Sequence, residues 1–136
     1  MERDLEYFDE DEFLKSVGRS HVRLKNALVR DRIPELITAD GRKVLVESKK
    51  DAVQVELVAR FCDKILEEHR ELIRSRGSES LIEELVDLTQ LVEDMATALG
   101  ISKEVAARKA DKKVLRGGFE ECIFMHAYEP KEEKEE

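Results

Sequence analysis

Apolar residues recur every three to four positions through the middle of the chain, and this spacing predicts two long helices. The first is expected near residues 49–75 with Ser48 as its N-cap, and the second over 78–99 with Gly100 at its C-terminus. Gly77 separates the two. Each helix carries a wide apolar arc, which is typical of packed helices.

The members of each arc follow from a rotation of about 100° per residue. On the first helix the arc consists of Val58, Phe61, Cys62, Ile65, Leu66, His69, Leu72 and Ile73. On the second it consists of Leu81, Ile82, Leu85, Leu88, Leu91, Val92, Met95, Ala96 and Leu99.

Shorter elements are predicted on both sides of this pair. The motif NALVRDRIPELI, at 26–37, contains Pro34, which fits early in a short helix and precedes a turn at Asp40 and Gly41. A further helix is expected from Ser102 to about Leu115.

The remaining predictions concern the N-terminal segment and two apolar runs outside the helices. Residues 1–20 fit either a short helix that Gly18 ends, or a partly ordered acidic segment. Apolar residues at 44–46 favour a strand that pairs with another at 119–127. The expected fold is therefore all-α, a helical bundle with a small C-terminal β element.

Composition supports one helical domain. The chain has 136 residues, 5% aromatic residues and no Trp, so Leu, Ile, Val and Ala must fill a core that this length permits. The expected division is an acidic extension at 1–20, a domain at 21–128 and a charged disordered tail at 129–136.

Charge and hydropathy narrow the function classes. The net charge of −8 belongs to the ends, since residues 1–12 contribute −6 and residues 131–136 contribute −2. The neutral body does not indicate a nucleic-acid surface, and no apolar run approaches the roughly 18 residues of a membrane span. The acidic N-terminus does not resemble a signal peptide, so we expect a cytoplasmic protein whose cysteines, Cys62 and Cys122, are reduced core thiols.

Two carboxylate pairs at i, i+3 lie on the long helices and carry the candidate chemistry. Glu68 and Glu71 flank the apolar arc of the first helix, and on the second Glu84 falls inside the arc with Asp87 beside it. A charge-rich chain often shows such strings as a solvated helix face. Glu84 differs, because a buried ionised carboxylate needs a cation, a proton or a basic side chain. Four converging carboxylates would suit a hard cation such as Mg²⁺.

Basic groups offer partners for phosphate. In the string RGGF, Gly117 and Gly118 would let the backbone approach a phosphate that Arg116 grips. The string alone favours a helix C-cap followed by a turn into a strand, and the nearby carboxylate pairs strengthen the phosphate interpretation, because a cation-bound triphosphate needs positive groups at its outer end. Lys64 fits either a salt bridge to Glu68 or a phosphate contact. A GxxxxGK[ST] motif is absent from the sequence.

The order NALVRDRIPELI, KILEEHRE, EELVDL, RGGF resembles the MazG-type all-α nucleotide pyrophosphohydrolase superfamily, and is most similar to members related to phosphoribosyl-ATP pyrophosphohydrolase. The resemblance covers roughly residues 24–125. The family's ExxE…ExxD motif coincides with Glu68, Glu71, Glu84 and Asp87. Ala27 stands where the family usually has Lys, and residues 1–20 have no counterpart in the pattern.

The resemblance implies a Mg²⁺-dependent hydrolase, with Mn²⁺ as an alternative ion, that cleaves a nucleoside triphosphate between its α and β phosphates. It implies metal ligation by the four motif carboxylates, water orientation by Glu67 or Glu71, and phosphate contacts from Lys64, Lys112 and Arg116. It also implies a homodimer or homotetramer. Two alternatives stay open: hydrolysis of phosphoribosyl-ATP in histidine biosynthesis, and a helical assembly module without catalysis.

Overall fold

The computed structural model describes residues 10–18, 21, 24 and 27–132, and these residues form helices joined by turns and irregular segments. In chain order the helices are α1 (Glu10–Val17), α2 (Ile33–Ala39), α3 (Gln54–Arg74), α4 (Ser78–Ala98) and α5 (Ser102–Arg116). No strand occurs in this part of the chain. The all-α class predicted from the sequence is therefore confirmed.

The chain divides into two units, one spanning Met1–Ile101 and the other Ser102–Glu136. The first contains α1 to α4, and the second contains α5 and the segment that follows it.

Helices α3 and α4 form the antiparallel hairpin on which the first unit is built, and they are the pair of described helices that pack against each other. Each has 21 residues and so a length of about 31 Å. The link between them is short because α3 ends at Arg74 and α4 begins at Ser78. Two residues that are equally far from this turn, one on each helix, therefore lie at the same height along the hairpin.

Gly77, the N-cap of α4, makes the turn with φ 82° and ψ 166°. This backbone region is almost restricted to glycine. We expect Gly77→Ala to lower the free energy of unfolding by about 1–3 kcal/mol, because a Cβ strains this conformation. Denaturant unfolding followed by helical circular dichroism measures the loss. Gly118→Ala is the control, since Gly118 has no positive φ and open space around its Cα, and an equal loss there would contradict the explanation.

The start of α3 corrects the sequence prediction. The helix begins at Gln54 rather than near residue 49, and Val53, not Ser48, is its N-cap. A turn precedes it, in which the Ala52 amide donates to the Lys49 carbonyl at 2.9 Å. The ion pair of Lys49 with Glu56, at 2.8 Å, holds this turn against the first helical turn. The helix therefore starts later than predicted, because this turn and its ion pair take the place of the expected first helical turns.

Other boundaries agree closely with the sequence pattern. Pro34 lies in the first turn of α2, a turn follows at Asp40 and Gly41, and α5 spans the expected residues. At the end of α4 the Ile101 amide donates to the Ala96 carbonyl at 2.9 Å, while Gly100 adopts φ 71°. This is the left-handed glycine termination that the sequence predicts.

Helix α1 decides between the two interpretations of the N-terminal segment in favour of a helix, at least from Glu10 onward. Gly18 ends it, with its amide donating to the Leu14 carbonyl at 2.8 Å. Phe13 is buried, and the ring of His21 meets it edge-on with centroids 6.0 Å apart. The sequence pattern also predicts Phe8 on the apolar side of this helix, and Phe8 lies outside the described residues.

The core is much smaller than the length of the chain permits. Among the described residues only Phe13, Pro34, Glu68 and Ala96 are buried. Cys62, Cys122 and His69 are exposed, so their assignment to a core is wrong. The physical reason is that a two-helix hairpin buries only the sides on which its helices meet, and much of each predicted apolar arc lies outside that contact.

The second unit presents apolar side chains without burying them. Every described residue from Ser102 onward is exposed, including Phe119, Ile123 and Phe124. The predicted strands at 44–46 and 119–127 are not found, and both segments are irregular. Two isolated strands are marginal in water without a further sheet or helix to cover them, which the sequence pattern alone does not reveal.

Among the described residues, no helix is both long and apolar enough to span a membrane.

A candidate metal centre between two helices

Three carboxylates meet across the α3–α4 hairpin. Glu68 comes from α3, and Glu84 and Asp87 come from α4. Each offers an oxygen within 4.8 Å of the others. The short turn brings Glu68 and Glu84 to the same height, and the i, i+3 spacing places Asp87 on the adjacent edge of α4. The structure thus unites three of the four residues that the sequence motif identified.

The surroundings of Glu84 show that these groups do not simply face water. Glu68 is buried, with 8% of its surface exposed, and Oε2 of Glu84 is inaccessible and has no hydrogen-bond partner. A hydrogen bond to Glu68, desolvation and the nearby negative charges raise the pKa of Glu84 from 4.5 to about 7. At neutral pH the cluster therefore holds a proton or calls for added positive charge.

Two basic side chains already neutralise part of the cluster. Arg30 donates to Asp87 at 2.5 Å, and this contact joins the NALVRDRIPELI segment to α4. Lys64 lies 3.5 Å from Glu68 and 3.2 Å from Glu67. Of the two sequence interpretations of Lys64, the structure displays the salt bridge.

Glu71, the fourth residue of the motif, stands apart from the three. Its side chain is half exposed and lies 3.7 Å from Arg74 on the same helix. Its charge still contributes to the raised pKa of Glu84. Glu67 is exposed and paired with Lys64. Neither residue belongs to the close group, although both project from α3 beside it.

The predicted phosphate contacts Lys112, Arg116, Gly117 and Gly118 belong to the second unit, where all four are exposed. The Gly117 amide donates to the Lys113 carbonyl at 3.0 Å and ends α5. Within its own unit the RGGF string therefore behaves as a helix terminus, and Lys112 and Arg116 lie in the last turns of a helix rich in basic residues.

Arg30 is the site residue that sequence reasoning missed. The motif that contains it belongs to the resemblance, but its residue pattern predicts only a turn and a short helix. Helical periodicity could not identify the contact, because Arg30 precedes α2 and reaches a residue 57 positions away. One sequence signal for this contact is available. The neutral body of the domain contains Arg30 and Arg32 together with carboxylates to which the pattern assigns no partner.

The donor set suits a hard divalent cation. Carboxylate oxygens are the ligands preferred by Mg²⁺, which also retains several waters and so needs few protein ligands. The buried Oε2 of Glu84, with no hydrogen-bond partner, provides an acceptor that such an ion would satisfy. Glu68, Glu84 and Asp87 are the residues that could hold it.

No family model, characterised protein or solved structure matches this chain.

Proposed function

We propose that this protein is a Mg²⁺-dependent nucleoside triphosphate pyrophosphohydrolase, a hydrolase acting on acid anhydrides that yields a nucleoside monophosphate and pyrophosphate. The supporting observation is the cluster of Glu68, Glu84 and Asp87, whose oxygens lie within 4.8 Å of one another around a buried, unsatisfied Glu84 oxygen. A purely solvated acidic helix face would not hold the pKa of one member near 7.

A bound divalent cation would neutralise the phosphate chain and lower the pKa of a coordinated water. In the proposed hydrolysis a water would add across the α–β anhydride: a new P–O bond would form at one phosphorus, the bond to the bridging oxygen would break, and that oxygen would leave with the other product. Glu67 or Glu71, which project from α3 beside the cluster, would orient the water and accept its proton.

The basic side chains have the complementary task. Arg30 and Lys64 are held at the carboxylates, at 2.5 Å from Asp87 and 3.5 Å from Glu68, and can turn toward the phosphate chain once a cation neutralises these acids. Lys112, Arg116 and the Gly117–Gly118 backbone of the second unit are proposed as further phosphate contacts. The proposal includes a cytoplasmic enzyme that works as a homodimer or homotetramer.

A helical assembly module without catalysis is the second candidate. It is favoured by the many large apolar side chains of α3 and α4 that remain exposed, such as Ile73 and Leu85. These residues call for a partner whatever the carboxylates do. Assembly through these side chains is compatible with catalysis, so only a measurement of activity separates the two candidates.

A screen for pyrophosphate release tests the proposal. The full chain is incubated with Mg²⁺ and canonical or modified nucleoside triphosphates, and with phosphoribosyl-ATP. We expect equal amounts of pyrophosphate and monophosphate, lost on chelation. Orthophosphate with a diphosphate would indicate cleavage at the β–γ bond and contradict the assignment. Activity on phosphoribosyl-ATP alone would select the histidine-pathway alternative, and inactivity on every substrate would favour the assembly module.

A further inference from the structure

Arg30 binds one of the carboxylates that the candidate cation would use. Its guanidinium donates to Oδ1 of Asp87 at 2.5 Å, and Asp87 belongs to the group whose oxygens lie within 4.8 Å of one another. The side chains of Arg30 and Asp87 expose 53% and 34% of their surface. The ion pair therefore lies at the solvent-accessible edge of the carboxylate cluster, where a cation from solution would enter.

The guanidinium of Arg30 also lies in the field of both helices of the hairpin. The hydrogen bond to Asp87 is the main reason that the pKa of Arg30 is raised, and the negative charges of Asp94 on α4 and Glu68 on α3 raise it further. A positive group at this position is therefore attracted by carboxylates from two elements. A cation that bridges Glu68 and Asp87 would be attracted to the same place.

Arg30 and a cation would compete for Asp87. Mg²⁺ binds carboxylate oxygens at about 2.0–2.1 Å, so an ion on the oxygen that Arg30 contacts would lie no more than about 4.6 Å from the guanidinium nitrogen. Charges of +1 and +2 at this distance repel each other enough to weaken binding about twentyfold, even in the dielectric of water. The ion pair must therefore open for the cation to bind with its full affinity.

The backbone of Arg30 links this ion pair to the start of α2. Its carbonyl accepts a hydrogen bond from the Ile33 amide at 3.0 Å, in the turn that leads into the helix. The neighbouring Arg32 does not reach the hairpin, since it pairs with Glu35 of α2 at 3.5 Å. Arg30 thus connects the carboxylate cluster with residues 27–33, named here the strap.

Lys64, the other basic neighbour of the cluster, can give way without moving a segment of the chain. It lies 3.2 Å from Glu67 and 3.5 Å from Glu68, both on its own helix. If a cation takes Glu68, Lys64 keeps Glu67 and α3 stays as it is. Among the described residues, Arg30 is bonded to Asp87 and to no second carboxylate, so its release detaches the strap from α4.

We propose that Arg30 is a built-in competitor of the cation, and that a divalent cation at Glu68, Glu84 and Asp87 releases Arg30 and opens the strap. The inference rests on the cation site of the proposed function and adds a regulation of that site. The closed strap lowers the observed affinity for the cation by the fraction of chains in which the strap is open. By linkage, the bound cation favours the open strap to the same extent.

The release of Arg30 can be measured in the unaltered chain. The full chain is treated with an arginine-selective dicarbonyl reagent, with and without saturating Mg²⁺, and labelling of each arginine is followed by peptide mass spectrometry. We expect Mg²⁺ to accelerate the labelling of Arg30 about three- to tenfold. Labelling of Arg32 should not change, since its partner Glu35 is not part of the cluster. Equal labelling of Arg30 with and without bound Mg²⁺ would overturn the proposal.

The sign of a change in Mg²⁺ affinity gives a second test. In titration calorimetry, Arg30→Gln is expected to bind Mg²⁺ about three- to tenfold more tightly than the wild type. Arg32→Gln removes the same charge from an exposed residue two positions away, and should change the affinity less than about twofold. Weaker binding by Arg30→Gln would show that Arg30 instead positions Asp87 as a ligand, and would overturn the proposal.

These measurements separate a failure of the inference from a failure of the proposed function. Mg²⁺ that binds the wild type without altering the labelling of Arg30 would refute the strap and leave the metal site intact. Absence of Mg²⁺ binding in the wild type and in Arg30→Gln would refute the metal site of the proposed function, and the competition with it.

Discussion

Glu84→Gln is expected to lower Mg²⁺-dependent pyrophosphate release by at least about a hundredfold, since changes even in residues that only support a metal ligand cost 10–100-fold. Glutamine keeps the shape of the side chain and removes its charge. The cluster would then have Glu68 and Asp87 as its remaining acids, and both already have basic neighbours in Lys64 and Arg30. Binding to the two remaining carboxylates would release too little free energy for a cation to displace Lys64 and Arg30.

The matched control for this variant is Glu93→Gln. It makes the same chemical change on the same helix, at an exposed residue that is not part of the cluster. Steady-state rates over a Mg²⁺ titration, with circular dichroism to verify folding, should show full activity for this variant. Equal activity of Glu84→Gln and the wild type would remove the carboxylate cluster from the mechanism, and equal loss in both variants would attribute the effect to α4 as a whole.

The second large effect is on stability, and its sign depends on pH. In the folded chain Glu84 has a pKa near 7, against 4.5 for the ordinary side chain. Below pH 4.5 both states are protonated and the residue contributes nothing to the difference. Between pH 4.5 and 7 the unfolded chain releases this proton while the folded chain keeps it, so the free energy of unfolding falls as pH rises. Above pH 7 the full destabilisation is present.

Melting temperatures of the metal-free protein check this dependence. Glu84→Gln should melt close to the wild type near pH 4 and clearly higher at pH 8, because the amide donates to Glu68 without adding charge. Mg²⁺ at a hundred times its dissociation constant should stabilise the wild type by about 2.7 kcal/mol and leave the variant unchanged. A wild-type advantage over the variant at pH 8 without metal would contradict the repulsion that we assign to this cluster.

Much of the candidate site follows from residue spacing alone. The i, i+3 pairs and the position of Glu84 within an apolar arc pointed to Glu68, Glu84 and Asp87 because helical rotation is nearly constant. Arg30 was not predictable in the same way, since its contact with Asp87 joins segments 57 residues apart. Glu71 shows that helical spacing is not sufficient. It lies three residues from Glu68, but its side chain turns toward Arg74 and solvent.

The sequence by itself determined the helices and the residue types on each of their sides, because periodicity, proline and glycine act locally. It did not determine which apolar side of α3 or α4 would be covered. Helices α3 and α4 are each apolar over an arc wider than one neighbour can bury, and only the tertiary structure shows that Leu88 and Met95 are partly covered while Leu66 and Leu85 stay exposed. Which side is covered depends on how well the surfaces of the two helices fit each other. The residue pattern of a single helix carries no information about this fit.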